Sequence, residues 1–289
     1  MARARQTLER RQLGLALRRI REESGKTQQA AAEAIGRVRS RIVELEDGKG
    51  TLSREDLVGL LDFYGISGDE RETVLALGAQ ARKRQRGRTY TDLLPGAFQR
   101  FADLEASATE ISSYESGVLP GLLQSPGYVR AVIEECDGVW WDATTDAELE
   151  QRIAFRLERQ ERSLSPAESR SFRFVLTEDS LRAVVGSPEV MREQLQHLAA
   201  AIDTRDDLVV QVLEQDASRN PARGGGFTVF GFGDKGSPVG FSSTVFSPST
   251  YHSNEADTTI MLRAFRGIQS LALDRDRSRR LVEQISKGG

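Results

Sequence analysis

Arg37, Arg39 and Arg41 place three guanidinium groups within five residues, in the stretch RVRSRIVELEDGKG from Arg37 to Gly50. A guanidinium is a planar fork of donors that can set two parallel hydrogen bonds on a guanine edge or on a phosphate. The chemistry this suggests is recognition of a polyanion, provided the backbone turns the arginines outward together. Read as a helix over Arg37–Asp47 at about 100° per residue, Val38, Ile42 and Leu45 share one narrow face and go inward. Ser40, Val43 and Glu44 point directly away. Arg39 lies on one flank, Arg37 and Arg41 on the other. The outward surface is then a polar-ridged rod with arginine sides, of a width that the major groove of double-stranded DNA admits. A lone cluster of this kind is more often a solvated helix face, so its surroundings decide the reading.

Those surroundings read as a frame of short helices. Leu13, Leu17 and Ile20 repeat at i, i+4 and i+7, giving an amphipathic helix over about 6–23 that Gly25 ends. Thr27 is placed to cap a second helix, TQQAAAEAI, and Gly36 turns the chain into the arginine helix. Ser53, with Asp56 three residues on, caps a fourth helix, REDLVGLLDFYG. A fifth spans about 69–86 and runs into the basic run RKRQRGR. Two short helices joined through Gly36 make a helix-turn-helix, the first crossing the DNA backbone and the second entering the groove. Gln28 and Gln29 open the supporting helix, where free N–H groups and the helix dipole favour a phosphate.

Residues 13–64 resemble the helix-turn-helix domain shared by phage repressors and the xenobiotic-response-element family of bacterial regulators. Arg21-Glu22, Gly25, Thr27-Gln28, Ala32, Ile35-Gly36, Ile42, Leu45-Glu46 and Gly48 carry the likeness. The resemblance implies a structural pair between Arg21 and Glu46. It implies base contacts from Arg39, Ser40, Val43 and Glu44, and phosphate contacts from Gln28, Arg41 and Lys49. Val38 departs from the usual Ser or Thr cap, and Ala31 from a larger aliphatic. Glu44 stands where arginine is frequent; a glutamate there can accept from cytosine but repels phosphate.

The charge balance fits a head that meets a polyanion and a body that does not. Residues 1–90 hold 19 Lys and Arg against 13 Asp and Glu, while the remainder holds 21 against 30. At 289 residues the chain has room for two or three domains. No apolar run reaches the length of a membrane span, and the N-terminal MARARQTLERR lacks the apolar stretch of a secretory signal. A single cysteine, Cys136, fits a reducing cytoplasm.

Beyond a join at Thr89–Pro95, helices are expected over 97–115, 126–136 and 146–162, with the loop GVLPGLLQS between the first two. From Arg170 the texture becomes β-rich: SFRFVLT, DLVVQVLEQ, GGFTVFGFG and PVGFSST, bounded by Gly, Pro and Asp. Helices over 178–184 and 188–203 separate the first two strands, and helices over 255–273 and 275–286 close the chain. Val118-Leu119-Pro120-Gly121-Leu122-Leu123-Gln124, followed by Tyr128, Arg130-Ala131, Arg156, Arg159-Gln160, Leu164, Leu176, Glu178, Leu181-Arg182, Val185-Gly186, Gln194-Leu195 and Val209 to Val212, is similar to the actinobacterial WhiJ-like regulators. That resemblance implies a repressor-type head on a C-terminal domain of uncharacterised function, an antitoxin-like role, and a small partner protein encoded by a neighbouring gene. Phe241-Ser242-Ser243 departs from the aromatic-x-Glu frequent there.

Catalytic chemistry is poorly served in the body. His197 falls in a helix and His252 in a Ser/Thr-rich loop, and with one cysteine they make no metal site. Cys136 beside Trp140-Trp141 reads as a packed thiol, and GGGF at 224–227 as a loop feature with no Lys-Ser/Thr to hold phosphate. The PGLLQ segment either plugs the core or lines a pocket; Trp140-Trp141 either packs or forms an interaction patch.

The expectation is an α+β chain. Residues 1–88 form a five-helix helix-turn-helix domain, 89–169 a helical subdomain, and 170–289 a small antiparallel sheet packed with helices. The implied function is a sequence-specific DNA-binding regulator, a repressor or antitoxin-like factor. It would be cytoplasmic and nucleoid-associated, a homodimer held by its body, without enzymatic activity, cofactor, metal or membrane. The alternative is a protein-interaction antitoxin that sequesters a small partner, with DNA binding secondary.

Overall fold

The computed structural model describes residues 6–83, 89–165, 170–243 and 249–288, and among them the chain forms twelve α-helices and seven strands. It divides into two compact units: residues up to Ala108 with Phe230–Thr258, and Thr109–Val229 with Thr259–Gly289. These divisions fall elsewhere than the junctions at 88/89 and 169/170 expected from composition.

In the first unit, α1 (Leu8–Glu23), α2 (Gln28–Ala34), α3 (Arg39–Glu46), α4 (Arg54–Tyr64) and α5 (Gly68–Arg82) pack around one apolar cluster. Leu13, Leu17 and Ile20 of α1 meet Ala31 and Ala32 of α2, Ile42 and Leu45 of α3, and Leu57, Leu60 and Leu61 of α4. Capping fixes the boundaries: Thr7, Thr27 and Ser53 each accept from the backbone N–H three residues on. Gly14 sits where α1 crosses α3, and a Cβ there would clash with the carbonyl oxygens of Leu45 and Glu46. α5 ends at Arg82, and residues 84–88, which hold the rest of the expected fifth helix and of the basic run, lie outside the described residues.

The same unit contains β1 (Thr89–Thr91), α6 (Ala97–Ser107), β6 (Val239–Ser242) and β7 (Thr250–His252), with the end of β5 (Phe227–Gly231). Strand order here is β1-β7-β6-β5, β7 running antiparallel to both β1 and β6. The expected join at Thr89–Pro95 is thus partly a strand. Its continuation is locked by the buried pair Arg100–Asp92, at 2.8 and 2.6 Å. His252 belongs to β7, not to a loop. Three residues flanked by serines are too few to show periodicity, and one of their two pairing partners, β1, is distant in sequence.

In the second unit the order is β5-β2-β3-β4, with β2 (Glu110–Glu115), β3 (Ser171–Thr177) and β4 (Leu208–Leu213) parallel in register Ile111↔Phe172↔Leu208. This corrects two expectations. The sheet is mixed, not antiparallel, because long helical crossovers return the chain to the same end of the sheet. A 3-10 turn (Gly121–Leu123), α7 (Pro126–Cys136) and α8 (Asp146–Leu164) link β2 to β3; α9 (Glu178–Arg182) and α10 (Pro188–Thr204) link β3 to β4. The helix expected over 97–115 ends at Ser107, and EISSYE is strand β2. That strand is buried along Ile111–Tyr114 on both faces, so it lacks the alternation that marks a half-exposed strand. Its buried Ser113 hydroxyl is satisfied by Thr228 at 2.8 Å.

α11 (Glu255–Leu271) lays Phe265 and Ile268 against Tyr114, Val175 and Leu213. α12 (Arg275–Gly288) finishes the edge of β4, since Ser278 Oγ accepts from Val212 N at 2.9 Å and Leu273 N donates to Val212 O at 2.9 Å.

Candidate DNA-binding surface

The turn between α2 and α3 uses Gly36 at φ 64°, a left-handed conformation that a side chain resists. Arg37 N donates to Ala32 O at 2.8 Å across it. The chain leaves this turn extended, so α3 begins at Arg39 rather than at Arg37 as expected. Val38 takes the N-cap position with no side-chain acceptor to offer, and 69% of its surface is exposed. The first turn of α3 therefore carries Arg39, Ser40 and Arg41, no acid and no cap. Cations at a helix N-terminus oppose the macrodipole by a few tenths of a kcal/mol. An anion docked there would relieve both the dipole and the free N–H groups.

One arginine of the three is held for presentation. Buried Glu46 accepts from Arg21 Nε at 2.6 Å and from Arg21 Nη2 at 3.0 Å. That hydrogen bonding holds the Arg21 guanidinium above its ordinary pKa. Gln28 Nε2 donates to the same carboxylate at 2.9 Å, and Gln28 Oε1 accepts from Arg39 Nη2 at 3.1 Å. The amide orientation follows from its neighbours, since a carboxylate only accepts and a guanidinium only donates. A four-residue chain thus runs from the interior to the surface: Arg21, Glu46, Gln28, Arg39. Arg18 adds a second cation beside Glu46 at 3.5 Å.

The other residues singled out in the sequence have local partners. Arg37 turns to Asp56 of α4 at 2.8 Å, Arg41 reaches Glu44 at 3.2 Å and the carbonyl of Thr51, Lys49 meets Asp47 at 2.9 Å, and Gln29 donates to Glu33 at 2.6 Å. Ser40 is exposed and Val43 half-buried on the ridge of α3. These exposed ion pairs are worth about 0–1 kcal/mol each, so exchanging them for a phosphate is cheap. Sequence reasoning missed the bridging position of Gln28, the capture of Arg37 by Asp56, and the exposure of Val38. The signal for the last was present, since a valine at an N-cap cannot be a capping group.

In the second unit the PGLLQ segment is core: Leu119, Leu122 and Leu123 are buried, and three glutamines clamp the backbone. Gln124 donates to Leu119 O at 2.7 Å, Gln160 to Gly121 O at 2.6 Å, and Gln194 to Leu123 O at 2.7 Å. Trp141 packs beside Val129, Ile133 and Ile153 and donates to Asp137 at 2.9 Å, whereas Trp140 is half exposed. Cys136 ends α7, and His197 lies on the exposed side of α10. Glu115, at the end of β2, is pushed up to about 7 by burial, against one hydrogen bond from Ser113 at 3.3 Å. Among the described residues no three metal-capable side chains converge, and no helix is long and apolar enough to cross a membrane.

Residues 12–74 match the helix-turn-helix domain family, and residues 98–284 match a domain of unknown function, DUF5753. No curated protein and no solved structure matches the chain. The second match covers more than half of the 289 residues, so the chain belongs to the DUF5753 family and, with a helix-turn-helix domain ahead of that region, is a DNA-binding regulator.

Proposed function

We propose that the chain is a sequence-specific transcriptional regulator, a cytoplasmic, nucleoid-associated repressor or antitoxin-like factor of the WhiJ-like type, working as a homodimer. The observation that carries this reading is the Arg21–Glu46–Gln28–Arg39 chain, which fixes a guanidinium at the mouth of α3 beside exposed Ser40 and Glu44. Arg39, Ser40, Val43 and Glu44 read base edges. Gln28, Gln29, Arg37, Arg41 and Lys49 serve the phosphates, the last three after leaving their acidic partners. Two heads in successive major grooves would stand about 34 Å apart on a pseudo-palindrome. The body dimerises and senses a partner or ligand, and carries no catalytic role. The test is footprinting on DNA upstream of the chain's own gene, with affinity read across salt. Protection of a two-fold site, with affinity falling steeply as salt rises, is the expected result; uniform, site-independent binding would remove sequence-specific regulation. The rival reading, an antitoxin whose body sequesters a small protein, draws its support from an exposed apolar stripe on α11.

A further inference from the structure

Besides the face it buries on the sheet, α11 carries a second apolar face. Ile260, Ala264, Gly267 and Leu271 fall at i, i+4, i+7 and i+11, which is one stripe along a helix. The stripe is open to solvent, with Ile260 52% and Leu271 38% exposed. With Arg219, Pro221 and Arg263 it lines a groove of about 430 Å³.

Gly267 sits inside a 17-residue helix, where glycine costs about 1 kcal/mol relative to alanine. Nothing lies within 4 Å of the place its Cβ would take, so no packing inside the unit calls for a glycine. Beside Ala264 it leaves a shallow notch between two larger apolar residues, the shape that lets a second backbone approach closely.

The groove's other wall is held under strain. Arg219, at φ 65°, is the one non-glycine with a left-handed backbone among the described residues. Asn220 holds it there, donating to Tyr114 Oη at 2.7 Å and accepting from Ala222 N at 2.9 Å. Strain of this kind costs on the order of 1–3 kcal/mol and gathers where a surface is shaped for use. Arg219, Arg263 and the neighbouring Arg266 form no ion pair among the described residues. Elsewhere in this unit Arg205 and Arg279 are paired with Asp207 and Asp203.

An apolar stripe bordered by uncompensated cations has a complement: we infer that this groove receives an amphipathic helix of a partner protein, apolar along one stripe and flanked by carboxylates. A second copy of the chain would bring an identical arginine rim against the first. The inference rests on reading the body as a partner-binding module, and is independent of what the head binds.

The test uses the full chain and a fluorescent stapled helical peptide with leucines at i, i+4, i+7 and i+11 flanked by glutamates. A twin carries lysines in place of the glutamates. The glutamate peptide should bind, and its twin at least about tenfold more weakly. Gly267→Leu adds a side chain where a Cβ meets nothing within 4 Å and removes a mid-helix glycine, so it should leave the melting temperature unchanged or raised while weakening the glutamate peptide at least about tenfold. Arg263→Glu combined with Arg266→Glu should reverse the preference between the twins. Absence of binding, equal binding of both peptides, or undiminished binding by Gly267→Leu overturns the proposal. So does sedimentation in which the wild-type chain is a dimer and Gly267→Leu a monomer, because the stripe then belongs to a second copy. Operator binding by the same preparations is measured alongside. A chain that takes the peptide but no DNA removes the DNA reading and keeps this one; the converse removes this one alone.

Discussion

A carboxylate as enclosed as Glu46 is stable only because two arginines and an amide surround it. Removing it strands the Arg21 guanidinium in a pocket built for a pair, and breaking a buried pair from one side costs roughly 3–5 kcal/mol. Glu46→Ala should destabilise the head by that order in urea unfolding. Glu33→Ala, which removes only an exposed contact to Gln29, should stay within about 0.5 kcal/mol; equal losses would count against a structural role for the pair. Glu115 makes the opposite kind of prediction. Its folded-state pKa of about 7 lies above the ordinary carboxyl value, so the fold binds this proton more tightly than the unfolded chain does. Its contribution is full below the ordinary carboxyl pKa and is lost as pH rises through about 7. Glu115→Gln should therefore flatten the fall in melting temperature between pH 5 and pH 8, and an unchanged slope would place that fall on other groups. At this scale the sequence was informative where one helix decides the geometry, as for Arg39. It was silent where two helices meet: Gln28 and Glu46 are 18 residues apart, and their contact depends on the crossing of α2 and α3.

Among the elements, α3 is the least supported by its own residues: eight residues long, uncapped, with two arginines in its first turn. Its place comes from Ile42 and Leu45 in the core and from the notch that Gly14 leaves in α1. Val38→Thr would add the missing acceptor and should stabilise the head by about 0.5–2 kcal/mol; a loss of stability would mean that Val38 packs in a way its exposure does not suggest. Arg39→Ala should weaken binding to the specific site by roughly 1–3 kcal/mol and relax preference at one base position, with non-specific affinity nearly kept. A uniform loss on all sequences would move Arg39 to the phosphates. The helices of the head were legible because α2 and α4 carry capping residues at Thr27 and Ser53, glycines mark the turns, and apolar residues recur at helical period. β2 was not, because a strand between two neighbours and covered on both faces carries no period to read. The parallel arrangement was half visible, since two helices between two strands are what a crossover needs.

At the scale of the whole molecule, the unit that holds the DNA-binding helices is closed by residues from far down the chain. Arg11 of α1 stacks over the ring of Phe232 at 3.7 Å from its centroid and donates to the carbonyl of Ser237 at 3.4 Å. Burial draws the Arg11 guanidinium down to about 10, well below its ordinary value. On another side of α1, Arg19 reaches Asp103 of α6 at 3.4 Å, and Phe101 of α6 packs on Phe241 at 4.5 Å between centroids. Composition could not reveal this, because the charge step near residue 90 marks where the basic run ends and not where the packing does. The consequence is specific. Phe232, 2% exposed, lies within the region that matches DUF5753, yet its ring covers a helix of the head. Phe232→Ala should cost roughly 3–5 kcal/mol of local stability, as deletion of a buried ring does, and should leave Arg11 buried beside a void. The loss should appear as faster hydrogen exchange at the α1 amides around Arg11, ahead of any change in β3 and β4. A head excised at residue 88 lacks Phe232, α6 and β6 together, so its α1 should exchange faster still and it should melt below the intact unit. If α1 protection in Phe232→Ala equals that of the wild type, the distal segment is a passenger on the head. If it falls, any event that displaces Phe230–Thr258 is felt in α1, the helix against which α3 is seated.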